Sequence, residues 1–275
     1  MSAIEKKEHE SGRSYVSKWY PPKEGWVSLL LALALLLGAE CAAHYEWISP
    51  LMLPAPSAVW LALVDGLQNG GYSAHIFSSV RSMLAGFFFA TVLAVVLAGV
   101  LASRPWLEGV VTPFIVAFQS MPKIAVAPLI IIWLGFGDLS KITIVTISCF
   151  FPILINTLQG LKIRDRDQFE LFQSLGASRW QLFYRLRLPN SMPYFFVGVH
   201  VGMIFALIGT VVAEFVGTDA GLGYLIMQSK AQFDVPGVFA CLGLLMVLGV
   251  TLHFLMKRVE MFASRWSSDV SRVAV

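Results

Sequence analysis

Three ionisable side chains lie within or beside long apolar stretches, and their position is the first sign of chemistry. They are Arg81, Lys123 and Glu214, and each is a functional candidate because an ionisable group is costly to bury in a bilayer. A lysine on a cavity would favour an anionic solute, and a carboxylate or an amine could relay a proton. Lys123 directly follows Met121 and Pro122, and irregular backbone in a membrane is tolerated only beside protein or a water-filled cavity. Met121, Pro122, Lys123 and Glu214 are therefore candidates for lining a solute pathway.

Glu214 has a second interpretation. If its helix begins at Pro193, Glu214 lies about 31 Å along that helix, near the outer surface, where water could solvate the carboxylate. The sequence leaves both a pathway role and a solvated surface position open.

The sequence lacks the residue patterns of an enzyme. It has no G-x4-G-K-[ST] loop for a nucleotide phosphate, and its 5 histidines are scattered over different segments. Cys41, Cys149 and Cys241 stand alone, without metal-ligand spacing. Lys and Arg form no clustered soluble patch of the kind that binds nucleic acid. We expect no catalytic residues, no metal, no bound cofactor and no nucleic acid.

The composition places the chain in a membrane. It is 57% hydrophobic and 13% charged, whereas soluble domains are about a quarter charged. A bilayer-spanning helix needs about 20 mostly apolar residues, and five regions meet that length. They are 26–47, 75–102, 139–161, 193–216 and 236–256.

A sixth apolar region, 108–136, is interrupted by proline. It contains Pro113, Pro122 and Pro128, each of which removes a backbone donor and disfavours helix in the residue before it. We expect a tilted or broken span. The prediction is an all-α membrane protein of about six transmembrane helices, with a core transmembrane domain over 75–257.

Positive charges predict how the chain is oriented. Most of the 20 Lys and Arg fall in the tail 1–25, the loop 162–192 and the tail 258–275, whereas Lys141 and Lys230 fall on the opposite side. Cytoplasmic loops carry the excess of positive charge, so both termini are expected in the cytoplasm and the protein in the cell inner membrane. The connection 48–74 would be periplasmic, with an extended piece leading to a short surface helix.

The loop 162–192 has the pattern of a helix-turn-helix. Asp167 with Glu170, and Ser178 with Gln181, have the spacing of helix N-caps, and Gly176 between them is placed to end the first helix. Prolines at 189 and 193 are expected to end the second helix and begin the next span. Such a hairpin would expose aromatic residues among its charges, either to lipid headgroups or to a partner protein.

Several motifs resemble those of ABC importer permeases. Glu170-Leu171-Phe172, then Gly176 and Leu186-Arg187-Leu188-Pro189, resemble their EAA motif, E-A-A-x3-G-x9-I-x-L-P, with the spacing kept. Leu171 and Phe172 replace the two alanines, and Leu186 replaces the isoleucine. The runs Ser174–Phe183, Ala127–Gly137 and Ala213–Gly217 with Gly221–Tyr224 are similar to the nitrate, sulfonate, taurine and bicarbonate group of these permeases.

The resemblance implies a type I importer permease fold in which this loop couples to a cytoplasmic ATPase. The coupling residues it implies are Glu170, Gly176, Ala177, Arg179, Leu188 and Pro189. Two ATPase subunits would bind ATP and Mg, and this chain would be the non-catalytic translocation subunit. A second permease copy would complete the pathway, with a homodimer expected before a heterodimer, and a periplasmic or surface-tethered binding protein would deliver the solute.

The resemblance also implies a class of cargo: a small solute, with an anion such as nitrate, a sulfonate or taurine expected first. An aromatic acid or a pyrimidine precursor is the alternative for the same kind of permease. A secondary transporter driven by an ion gradient through Glu214 or Lys123 is the rival from another class. Rows of small residues in the fifth span, including Gly198, Gly202 and Ala206, are expected either to pack within the subunit or to contact a second copy.

Overall fold

The computed structural model describes residues 22–45, 47–69, 71–162 and 166–264. Every regular element in these ranges is helical. The helices are α1 (Pro22–His44), α2 (Pro56–Gln68), α3 (Tyr72–Ser103), α4 (Pro105–Ser120), α5 (Lys123–Leu134), α6 (Asp138–Lys162), α7 (Arg166–Ser174), α8 (Arg179–Leu182), α9 (Leu188–Gly217), α10 (Leu222–Ala231) and α11 (Val235–Ser264), and a π-turn (Phe183–Arg187) joins α8 to α9.

Five helical stretches are long and apolar enough to cross a bilayer: they contain α1, α3, α6, α9 and α11. The pair α4 and α5 makes a sixth when counted as one broken span, with a bend of 95°. The break falls where the sequence predicts it, because Met121 has an extended backbone and Pro122 has no N–H to continue the helix. The predictions of about six spans and of a broken one are confirmed.

The core of the subunit is α6, which lies between α3 and α9. Met83 and Ala90 of α3, Val145 and Ile153 of α6, and Ala206 of α9 are all inaccessible to solvent within it. In contrast, most side chains of α1 are exposed. Glu40 of α1 reaches α2, where its carboxylate accepts hydrogen bonds from the backbone N–H (3.0 Å) and hydroxyl (2.7 Å) of Ser57. The predicted surface helix after the first span is therefore tied to that span's outer end.

Small residues in α9 allow it to pack closely against α6. Gly198, Gly202 and Ala206 all face the core. A Cβ added at Gly202 would lie 2.7 Å from a side-chain atom of Ile153. Of the two roles expected for this row, the structure shows packing within the subunit.

Replacing Gly198 by leucine should lower the stability of the folded subunit. A Cβ there would lie 2.9 Å from Asn156 Cβ and 3.2 Å from Ile153 Cα, and a backbone atom cannot move aside by changing rotamer. Overpacking of this kind costs about 1–3 kcal/mol, which thermal unfolding in detergent would measure. Gly99→Leu is the matched control, because nothing lies within 4 Å of a Cβ at that position; equal losses in the two variants would contradict the prediction.

Candidate functional site

The loop between α6 and α9 forms a helical hairpin, which we call the coupling hairpin (α7 and α8 with the turn between them). The turn is a Schellman motif: Gly176 has a φ of +74°, its N–H donates to the Gln173 carbonyl at 2.9 Å, and the Ala177 N–H donates to the Phe172 carbonyl at 3.0 Å. Glycine adopts this backbone without steric cost. The prediction that Gly176 ends the first helix is confirmed.

The second helix of the hairpin begins with a reciprocal cap. The Ser178 N–H donates to Gln181 Oε1 at 2.8 Å, and the Gln181 N–H donates to Ser178 Oγ at 3.3 Å. This is the capping box that the S-x-x-Q spacing predicts. The corresponding cap at Asp167 lies outside the described side chains.

The hairpin is continuous with the membrane span that follows it. The π-turn joins α8 to α9 without a break, so Trp180–Gly217 is one helical stretch of 38 residues. The expectation that Pro189 and Pro193 end the second helix is wrong. Proline has no N–H for the carbonyl four residues before it, and its ring collides with that carbonyl. In the π-turn, the Leu188 N–H bonds instead to the carbonyl of Phe183, five residues before it. This wider turn accommodates Pro189 without a break in the helix.

The hairpin exposes large apolar side chains. Leu175 is 75% and Trp180 69% exposed, and Leu171 is also exposed. Leu182 and Leu186 are buried and fix the second half of the hairpin to the subunit. Exposed aromatic and aliphatic residues next to polar ones are typical of a surface that contacts a partner protein or lipid.

The predicted coupling residues lie along this hairpin. Glu170 is exposed on α7, Ala177 is half-buried beside the turn, and Leu188 and Pro189 are half-buried at the start of α9. The side chain of Arg179 lies outside the described set. The predicted residues therefore lie on the hairpin and at the start of α9, with Glu170 and Gly176 before the second helix and Leu188 and Pro189 after it. Their contact with an ATPase stays a prediction.

A cavity of about 400 Å³ lies beside the bend between α4 and α5. Met121 and Lys123 line it, as the sequence predicts, and Pro122 forms the bend between them. The other lining residues are Gln119, Ile124, Ile144, Ser148, Pro152, Ile155, Asn156, Val201, Phe205, Ile208, Gly209 and Val212. Their mixture of apolar surface and a few polar groups is typical of a small-molecule site.

Lys123 is held against one wall of the cavity. Its Nζ donates to the backbone carbonyl of Ser148 at 3.2 Å. It lies 4.7 Å from the ring centre of Phe205 and 5.9 Å from that of Phe151, within the range of cation–π attraction. The cavity thus carries a cation between two aromatic faces.

Glu214 does not line this cavity and is only 2% exposed. Both carboxyl oxygens accept hydrogen bonds, one from the Ser79 hydroxyl at 2.7 Å and the other from the Gly223 N–H at 2.8 Å. The interpretation of Glu214 as a solvated surface residue is wrong, because the turn between α9 and α10 folds back over its side chain. Its role on a pathway stays a prediction.

Glu214 belongs to a group of side chains that cap α10 from other helices. The first N–H groups of a helix have no carbonyl partner within it. Here three successive groups are satisfied by side chains of α3 and α9: Gly221 N–H donates to His75 Nδ1 (3.1 Å), Leu222 N–H to Ser79 Oγ (2.8 Å) and Gly223 N–H to Glu214 Oε2 (2.8 Å). We call His75, Ser79 and Glu214 the outer cap.

Lys141 is hydrogen-bonded to Ala220, the residue that precedes these three N–H donors. Its Nζ donates to the Ala220 carbonyl at 2.6 Å and to Ser78 Oγ at 3.2 Å, and its side chain is 2% exposed. From the sequence, Lys141 was expected only on the side opposite the positively charged loops, and the roles of Ser79 and His75 were not predicted. The available signal was that Lys141 begins a long apolar run, where an ionisable residue usually has a specific partner.

Comparison with known proteins identifies relatives over most of the chain. Residues 86–263 match the family described as "Binding-protein-dependent transport system inner membrane component". The chain is 35% identical over 217 residues to the formylaminopyrimidine transport permease ThiX of Halalkalibacterium halodurans, covering 79% of this chain and 86% of that one. It is 36% identical over 243 residues to the riboflavin transport system permease RibX of Chloroflexus aurantiacus, covering 88% and 90%.

The taurine transport system permease TauC of Escherichia coli is 26% identical over 260 residues, covering 92% of this chain and 94% of that one. The fold is similar to that of a solved structure of the inward-facing MetNI methionine ABC transporter, with a TM-score of 0.59, 20% identity, and coverage of 67% of this chain and 92% of that chain. These matches confirm the predicted resemblance and the type I importer permease fold. The chain belongs to the binding-protein-dependent inner membrane components, the multi-pass permease subunits of ABC importers.

Proposed function

We propose that the coupling hairpin transmits ATP-driven closure of two ATPase subunits to the membrane spans. The observation that carries the proposal is the exposed apolar surface of the hairpin, whose second helix, α8, continues into α9 without a break. A partner that binds Leu175 and Trp180 would move the N-terminal end of a span directly. Glu170, which is exposed on α7, would add a polar contact to this docking surface, and the resemblance implies Arg179 as a further coupling residue.

The chain itself would be non-catalytic. ATP and Mg would be bound by the ATPase subunits, since this sequence has no phosphate-binding loop. A solute-binding protein would deliver cargo from the periplasm, and the complex would lie in the cell inner membrane. We propose a homodimer of this chain, in which the cavity beside the α4–α5 bend and its copy make up the solute pathway.

We propose a small organic anion as the cargo, because Lys123 is positioned on the cavity with its Nζ against a carbonyl and two aromatic rings. An alkyl sulfonate fits this description, and taurine, a zwitterion that carries the same sulfonate group, is named for one relative. A heteroaromatic solute is the second candidate: the relatives at 35% and 36% identity are named for a formylaminopyrimidine and for riboflavin, and Phe205 faces the cavity.

Uptake into liposomes would test both parts of the proposal. The permease would be reconstituted with its ATPase and with the binding protein that stimulates hydrolysis, and uptake of taurine, an alkyl sulfonate, a formylaminopyrimidine and riboflavin would be compared. We expect ATP-dependent accumulation of the sulfonates, and a loss of at least about tenfold in Lys123→Met, since a hydrogen bond to a charged group contributes roughly 1.5–3 kcal/mol. Uptake of the heterocycles alone would favour the second candidate. Accumulation driven by an ion gradient without the ATPase would overturn the coupling proposal.

A further inference from the structure

Pro152 lies inside α6, on the wall of the cavity that faces Lys123. A proline has no N–H, so it cannot donate the helical hydrogen bond to the carbonyl four residues earlier. That carbonyl belongs to Ser148, which also lines the cavity. A buried carbonyl without its helical donor needs another partner, and Lys123 Nζ supplies one at 3.2 Å.

We propose that the Ser148 carbonyl, released by Pro152, is the resident partner of Lys123, and that an anionic solute binds in the cavity by displacing it. Pro152 is then an affinity-determining residue of the cavity. The inference rests on the proposed role of the cavity as the solute pathway. It extends that role by naming the chemistry of the exchange: a carboxylate or sulfonate oxygen replaces a backbone oxygen on the same ammonium group.

This arrangement would limit how tightly the cavity binds a transported anion. A lysine with no partner in a low-dielectric cavity would hold an anion too firmly for release, because the attraction between opposite charges strengthens as the dielectric constant falls. A resident carbonyl weakens binding by the free energy of the hydrogen bond that the anion must replace. Passage requires binding that is favourable enough for entry and weak enough for exit, and a competing carbonyl provides that balance.

The test measures binding to the purified permease–ATPase complex in nanodiscs, without the binding protein. Benzenesulfonate is the anionic probe, and phenyl methyl sulfone is a neutral probe of the same shape. In Pro152→Ala and Pro152→Leu the new N–H can bond to the Ser148 carbonyl and weaken it as an acceptor for Lys123. We expect both variants to bind benzenesulfonate about tenfold more tightly and the sulfone with little change.

Control variants separate this effect from a general change in the helix. Pro113→Ala removes a proline that lies inside α4 and does not line the cavity. It should leave the affinities for benzenesulfonate and for the sulfone unchanged. In a Lys123→Met background, Pro152→Ala should no longer affect the anion. A persistent effect there, or unchanged affinity in both Pro152 variants, would overturn the inference.

The wild-type complex gives a measurement that does not depend on any proline variant folding. Benzenesulfonate should shift the side-chain ¹⁵N resonance of Lys123, assigned by its absence in Lys123→Met, and an unshifted resonance at saturation would overturn the exchange. A different result would contradict the proposed solute pathway: Lys123→Met would bind benzenesulfonate as tightly as the wild type does. Weaker binding in Lys123→Met with no effect of Pro152 would leave the pathway standing and reject only the exchange.

Discussion

Gly176→Val is expected to lower stimulated ATP hydrolysis in the complex at least tenfold while leaving the membrane spans folded. The φ of Gly176 is +74°, a conformation that costs a β-branched residue about 1–2 kcal/mol or more. The Schellman turn would open, and Leu175 and Trp180 would no longer be presented together. We expect a loss of at least tenfold in hydrolysis stimulated by the permease, measured with purified ATPase added to the permease in nanodiscs.

Two control variants make the cause specific. Gly176→Asn should retain most of the coupling, because asparagine tolerates the left-handed region better than other residues with a side chain. Gly99→Val places the same side chain in α3, at a site with open space around the Cβ, and should couple normally. Because nothing lies within 4 Å of a Cβ at Gly176 either, a loss at that position does not report crowding within the subunit, and the Gly176→Asn variant separates backbone conformation from crowding against the ATPase. Unchanged hydrolysis in Gly176→Val would contradict the role of the turn.

Glu214→Ala should give the largest loss of stability among substitutions in the outer cap. It removes the acceptor of the Gly223 N–H and of the Ser79 hydroxyl at a site that is almost fully buried. Leaving a buried polar group without its partner costs about 1–3 kcal/mol each. We expect a loss of about 3–5 kcal/mol, measured as the shift of the unfolding midpoint in mixed detergent micelles.

A graded series identifies the hydrogen bonds as the cause. Glu214→Gln keeps one acceptor oxygen and should lose less than the alanine variant. Ser79→Ala removes both the donor to Glu214 and the acceptor of the Leu222 N–H, so it should also destabilise the subunit. Glu260→Ala is the control carboxylate, because Glu260 is part-exposed and lies 3.7 Å from His200. If Glu260→Ala and Glu214→Ala destabilised equally, the outer cap would not be the reason.

The sequence could predict features that depend on neighbouring residues. The Gly176 turn, the Ser178–Gln181 cap and the break at Pro122 each follow from a few positions in the chain, and the structure contains all three. The position of Lys123 on a cavity was also predicted, because irregular backbone within a membrane is tolerated only beside protein or a water-filled cavity.

Features that depend on distant contacts could not be predicted in this way. Ser79 and Glu214 are 135 residues apart, and no spacing rule connects them. The continuity of α8 with α9 was missed for another reason: rules for proline assume a regular α-helix, and one π-turn changes which carbonyl the Pro189 ring meets. The burial of Lys141 was not predicted, because counting charges assigns a lysine to one side of the membrane without indicating its partners.

The helical stretch that begins in α8 of the coupling hairpin is long and apolar enough to cross a bilayer. From Trp180 to Gly217 it has 38 residues, about 57 Å at the usual rise, and its far end carries Glu214, which holds the start of α10. If the proposed docking moves the hairpin end of this stretch, the displacement should reach the turn before α10 through one helix that contains a π-turn but no break. We expect the two ends of the subunit to move together for that reason.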